Sequence, residues 1–439
     1  MRRETVSAIR YGYGLSPLRS ADTRPEDLLA SAVSASRQPP RLKTKARVKQ
    51  LVAFRKARNT GADARRTAQK KLRSMAQDDI RQFLSIAVTD DGFGARLTNF
   101  WSDHFTVAAN GPLLGVLVPD FIETAIRPNI TSTFPAMLRA AATHPAMLIY
   151  LNQVQSFGPN SRAGQREERG LNENLAREIL ELHTLGVSAS YNQTDVRAFA
   201  MLLTGLSVNK QGFVYRPGIS EPGPHVVLGQ TYGGRTTTLS HIEEALTDVA
   251  LRPDTAEHLS RKLVVHFLGV EDATLISRLK ATYLASKGDL KSLYLTLLED
   301  EKAWIPDFRK AKLPFDFIVS ALRAAGATES DVAKIKPADL RQGVFGAARL
   351  MGQHLFTPPG PDGWDEDPSS WITPPGLAAR IRWATAFAER IAGSHDPRTF
   401  LDNALADAAS PTLQFAVNGA ESRVEGLALT LVSPEFNRR

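Results

Sequence analysis

The stretch GLNENLAREILELHTLGV, residues 170–187, decides the class of fold. Placed on a helix at 100° per residue, Leu175, Ile179 and Leu182 fall on one side. Glu173, Arg177 and Thr184 line an edge of the other side, with Asn174, Glu178 and Glu181 beside them as one broad polar face. His183 falls on the apolar side near Asn172, and Gly186 stands where a helix meets its C-terminal stop. The spacing predicts one helix over 172–185, buried along one stripe and polar along the other.

The same three-to-four-residue apolar spacing recurs at 76–88, 93–105, 134–151 and 194–204, so the chain is expected to be mainly α. Gly205 ends one helix, Gly288-Asp289 ends another and caps the next, and His144-Pro145 reads as a helix-breaking junction. Two stretches break the pattern. Residues 207–234 hold Phe213-Val214-Tyr215, the turn-rich 216–224 and then 225–228, which read as a short β-hairpin or irregular insertion. Residues 356–375 are too rich in Pro to be a helix interior and read as a surface strap pinned by Trp364 and Trp371. With no fixed-period repeat, residues 1–439 are expected to form a single compact multi-helix domain rather than a solenoid.

Composition excludes several classes. There is no cysteine, so disulfides, thiolate nucleophiles and thiolate metal sites are out, and any metal would sit on His, Asp or Glu. No run of eighteen apolar residues occurs, so no membrane span is expected. Arg10 interrupts any apolar segment after Arg2-Arg3, so no export signal is visible and a cytoplasmic location is the default expectation. The net charge of +8 is local: residues 41–73 carry thirteen Lys/Arg against Asp63 alone, leaving 41 bases against 45 acids elsewhere. Phe54 is the only aromatic there, which argues for a solvated helical hairpin and against specific nucleic-acid binding. A nucleophile elbow, a zinc-protease motif, a phosphate loop and a dinucleotide fingerprint are all missing, so no nucleotide cofactor is expected.

Read whole, 170–187 resembles the signature block of the bacterial helical family catalogued as domain of unknown function 1800. The resemblance continues in order through 10–14, 100–105, 145–148, 150–152, 203–205, 221–232, Gly363-Trp364 and 433–436. It implies a fold and a membership but no agreed reaction. Relatives are commonly encoded beside an exported, sulfatase-like family, which implies a protein partner and leaves export with that partner open. The chain departs from the family pattern at Ser220 and Asn129, where relatives usually carry histidine, and at Asn152, where aspartate is common.

Chemistry is expected where polar groups converge. Glu178 and Glu181, at i and i+3, are positioned to share a proton, bracket a water or bind a metal, and His104 and Asp103 on the 93–105 helix are the candidate partners. Asn174, Arg177, His183 and Trp364 are the candidate binding residues. One reading is acid/base chemistry, hydrolase- or lyase-like, on a polar or carbohydrate ligand. The other is a non-catalytic partner or maturation factor for a sulfatase-like protein, with Arg177 neutralising structural acids. Whether a metal binds is left open.

Overall fold

The computed structural model describes residues 1–439 except 58–59, 90–91 and 168–169. The chain is mainly α, a compact set of helices with two small antiparallel hairpins and a Pro/Trp-rich strap. Helix ends follow the local chemistry. Asn192 and Asp195 form a capping box on Gln193–Leu203, Asp289 accepts from the Ser292 amide (2.9 Å), and Gly186 and Gly205 take left-handed φ values of 87° and 101°. Pro145 divides the expected 134–151 helix into Phe134–Ala142 and Pro145–Tyr150, with the His144 ring capping the second through the Ala146 amide (3.1 Å). Among the described residues no helix is long and apolar enough to cross a membrane.

The β segment pairs differently from the sequence reading. Phe213–Tyr215 and 225–227 are both extended, yet they do not pair with one another. Leu206–Asn209 pairs with Gly212–Tyr215, and His225–Val227 with Gln230–Tyr232. Each strand takes its nearest neighbour because a short loop costs least to close. Leu228 and Gly229, both at positive φ (51° and 83°), make the two-residue turn that this needs.

Apolar side chains gather in two large clusters. One runs from Tyr11 through the middle of the chain to Ala303, and the other joins Tyr13, Leu84 and Ala95 to helices between Phe315 and Phe436. The helix Phe93–His104 serves both, burying Leu97 and Trp101 in the first and Ala95 in the second. A cleft follows the seam.

The basic segment forms two helices, Thr44–Ala57 and Ala62–Thr89, packed on a small cluster of Leu51, Leu72, Met75 and Val116. Arg58 lies outside the described residues. The expectation of a solvated hairpin needs correcting at Arg47. Its guanidinium is fully buried, 2.7 Å from Asp79, 3.3 Å from Glu123 and 3.5 Å from Asp120, and Arg41 also pairs with Asp79. Part of the positive charge is thus spent internally, against acids that lie outside the basic run.

Candidate functional site

The signature segment is α-helical only over Asn174–Glu178, then widens into a π-turn over Ile179–Thr184. One continuous α-helix was the expectation, and the difference rearranges the faces. Leu185 N–H bonds Leu180 O (3.0 Å) and the Thr184 hydroxyl donates to Ile179 O (2.6 Å), both five residues back. Thr184 is buried instead of lying on the polar edge, and Leu182 is half-exposed. Two carbonyls of the turn receive imidazoles: His183 O meets His104 Nε2 (3.0 Å) and Leu182 O meets His258 Nε2 (3.1 Å). Gly186 follows because a Cβ there would lie 3.0 Å from His258 Nδ1.

The polar residues of this segment separate. Arg177 reaches Glu181 (3.0 Å), Gln193 (2.8 Å) and Glu173 (3.6 Å), with 38% of its side chain exposed. Such a tie at the surface contributes little. Asn174 is exposed. Glu178 is different: half-buried, it makes no hydrogen bond or ion pair among the described residues, and burial, with Glu181 and Asp362 adding, raises its pKa. Asp362, on the strap, is an electrostatic neighbour of Glu178, Tyr150, Asp103 and Lys262 alike.

Asp103 stands at the wall of the cleft. On Phe93–His104 the spacing sends Arg96, Asn99, Phe100 and Asp103 towards the cleft, and Leu97, Trp101 and His104 into the core. Asp103 Oδ1 accepts the Trp364 amide (2.9 Å). The strap comes this close only because residue 363 is glycine, at φ 87°; a Cβ there would lie 2.7 to 2.8 Å from the carboxylate atoms. Burial pushes the Asp103 carboxyl up to about 7 against the Trp364 amide and the charges of Lys262 and Lys310. Burial likewise lowers Lys262, with Asp103 and Asp362 opposing.

His104 does not meet a signature glutamate. It sits 2% exposed among Phe105 (4.7 Å between centroids), Trp101 (5.2 Å) and Phe134 (6.0 Å), and its Nδ1 has no partner among the described residues. Burial holds it neutral, and takes His183 down to about 3 and His258 down to about 4. Among the described residues, no three His, Asp or Glu side chains converge to hold a metal ion.

The cleft is open to solvent and holds a cavity of about 120 Å³. Asp103, Asp316, Glu366, Arg96, His266 and Trp364 line its polar part. Asp316 is shared by Arg96 (2.6 Å) and Arg439 (3.5 Å), while Glu366 pairs with Lys310 and accepts from His266 Nδ1 (2.7 Å). Burial, then Arg439 and Lys310, keep the His266 ring neutral, so Nδ1–H donates to Glu366 and Nε2 accepts from Arg439 (3.4 Å). On the strap Trp371 is buried, its indole donating to Asp365 O (2.7 Å), whereas Trp364 packs on it (5.7 Å) and faces the cleft.

Sequence reasoning passed over His258, Lys262 and His266. They stand four residues apart on Pro253–Leu268, a spacing that places them on one helix face and was readable beforehand. The family departures have local roles away from the cleft. Ser220 accepts from the Tyr215 hydroxyl (3.0 Å), Asn129 donates to Ala125 O (2.8 Å), and Asn152 adopts a left-handed φ of 56°. Buried Glu221 is held by the amide of Asn160 (2.9 Å) and by its side chain (2.5 Å).

Helical fold and seam cleft together define a mainly α protein with one wall of buried ion pairs and one of aromatic rings. The family described as a protein of unknown function (DUF1800) matches residues 7–438, and the chain belongs to it. No curated protein and no solved structure matches the chain.

Proposed function

We propose that the cleft binds a polar, carbohydrate-type ligand and that Asp103 exchanges a proton with it, as in hydrolase- or lyase-like chemistry. The observation that carries this reading is the Asp103 carboxyl, pushed up to about 7 at the wall of a solvent-open cleft and bonded by one backbone amide. A carboxyl poised near neutrality both donates and accepts at working pH. Lys262 and Asp362 flank it and tune its charge, and Glu178 is a second raised carboxylate near Asp362. Glu181, neutralised by Arg177, is left a positioning role.

Incubation of the protein with a panel of p-nitrophenyl glycosides and esters between pH 5 and 9 tests this. Turnover with a limb near pH 7 that vanishes in Asp103→Asn is expected. A ¹³C-NMR titration placing the Asp103 carboxyl near 4 would overturn the reading. One observation favours the alternative of a partner or maturation factor, for example for a sulfatase-like protein. A surface groove holds the exposed side chains Ile372, Leu377 and Ile381 beside Val432 and Pro434. On that reading Asp103→Asn leaves partner activity intact, while Ile381→Asp removes it.

A further inference from the structure

The cleft does not end at its polar wall. Phe83, Asn99, Ile122 and Phe356 line it and also line a second arm, a cavity of about 50 Å³ likewise open to solvent. Ala35, Ile86, Ala87, Ala95 and Pro119 supply much of the wall of that arm, which is mainly carbon. The two arms meet at a pair of rings, Phe83 and Phe356, 5.2 Å apart, contributed from opposite sides of the seam. Phe356 holds a left-handed φ of 63°, its carbonyl accepting the Ala109 amide (2.7 Å). A bulky residue keeps that conformation only where its surroundings enforce it, and such positions gather at ligand sites.

The polar arm favours a neutral head group. Asp316 is matched by Arg96 and Arg439, and Glu366 is already bonded by Lys310 and His266, so the buried carboxylates of this wall are occupied by the protein's own groups. Hydroxyl groups, which donate and accept, suit Asn99, Asp103 and Glu366. The apolar arm adjoins the polar one at Phe83, Asn99, Ile122 and Phe356, which line both.

We propose that the ligand is amphiphilic: a neutral, hydroxyl-rich head in the polar arm, joined to an apolar chain in the arm past Phe83 and Phe356. This rests on the reading of the cleft as a ligand site and adds the class of ligand. Isothermal titration with methyl, butyl, hexyl and octyl β-D-glucoside below their micellar concentrations tests it, with phenyl β-D-glucoside to separate a flexible chain from a flat ring. Affinity should rise about three- to four-fold per methylene along the alkyl series, the increment for burying one CH₂. Ile86→Trp, which fills the apolar arm from a half-exposed position, should abolish that rise while leaving methyl glucoside unchanged. Gln82→Trp, on the same wall, serves if the first variant does not keep its helical circular dichroism. Methyl glucoside binding that weakens in Asp103→Asn, with no dependence on chain length, would overturn the amphiphile and leave the cleft reading standing. Phenyl glucoside binding as tightly as octyl would likewise overturn the chain in favour of a ring. If no member of the series binds, both the ligand class and the cleft as a glycoside site fall.

Discussion

A single missing carbon at residue 363 sets the distance between strap and cleft. Gly363→Ala combines a left-handed backbone with a methyl 2.7 Å from Asp103 Oδ1, so the strap must lift or strain. The expected cost is about 1–3 kcal/mol, read from chemical denaturation, with the Asp103 titration moving down as water reaches it. Arg177 and Glu181 make the opposite case. Both were candidates because charge converges on their helix, and both lie in a partly exposed i,i+4 pair. Arg177→Ala and Glu181→Gln should each change stability by no more than ~1 kcal/mol, the ordinary range for such ties. A loss of several kcal/mol in either would mean that the pair is structural after all.

At the scale of elements, the π-turn and the basic helices show how neighbours reset what a segment suggests alone. The extra residue in the turn of 179–184 aims two carbonyls at His104 and His258, which joins the signature segment to Phe93–His104 and Pro253–Leu268. In the basic hairpin, Arg47 is the buried cation that Asp79, Asp120 and Glu123 share. Arg47→Ala removes the one buried cation shared by three acids, leaving them to Arg41, Thr44 and His144, and a loss of about 3–5 kcal/mol is expected by thermal or urea unfolding. Substitution of the exposed Lys45 or Lys49 should change little. Equal effects at the three positions would contradict the internal use of charge.

For the whole molecule, stability should depend on pH through its buried histidines. His104, His183, His258 and His266 all have folded pKa values held below 6.5, so the native state resists protonation that the unfolded chain accepts. Their contribution is present above about 6.5 and is lost as pH falls below it. Asp103, raised to about 7, acts in the opposite sense between about 7 and 4, and Glu178, also raised by burial, acts in that same sense. With His225 also lowered by burial, five histidines outweigh the two carboxylates, so the melting temperature should fall between pH 7 and 5. Each histidine accounts for about 1 kcal/mol by pH 5.5. His258→Gln, at a half-exposed position, should flatten the profile, and Asp103→Asn should steepen it. A profile that stays flat or rises towards pH 5 would contradict this balance.

Periodicity, caps and turn residues are local, and by themselves they determined the mainly α class, the stops at Gly186 and Gly205, the break at Pro145 and the family membership carried by 170–187. They also marked Asp103 and Trp364 as polar or aromatic side chains in segments worth watching. What local patterning does not encode is which distant segments meet. Only the tertiary structure decided that strap and cleft helix join at Gly363 and Asp103, that Glu178 and Asp103 share Asp362 as a neighbour, and that Arg47 is buried. The physical reason is that pKa, burial and charge pairing are set by groups up to hundreds of residues away, such as Asp316 beside Arg96. The spacing rules that reveal a helix act over three or four residues.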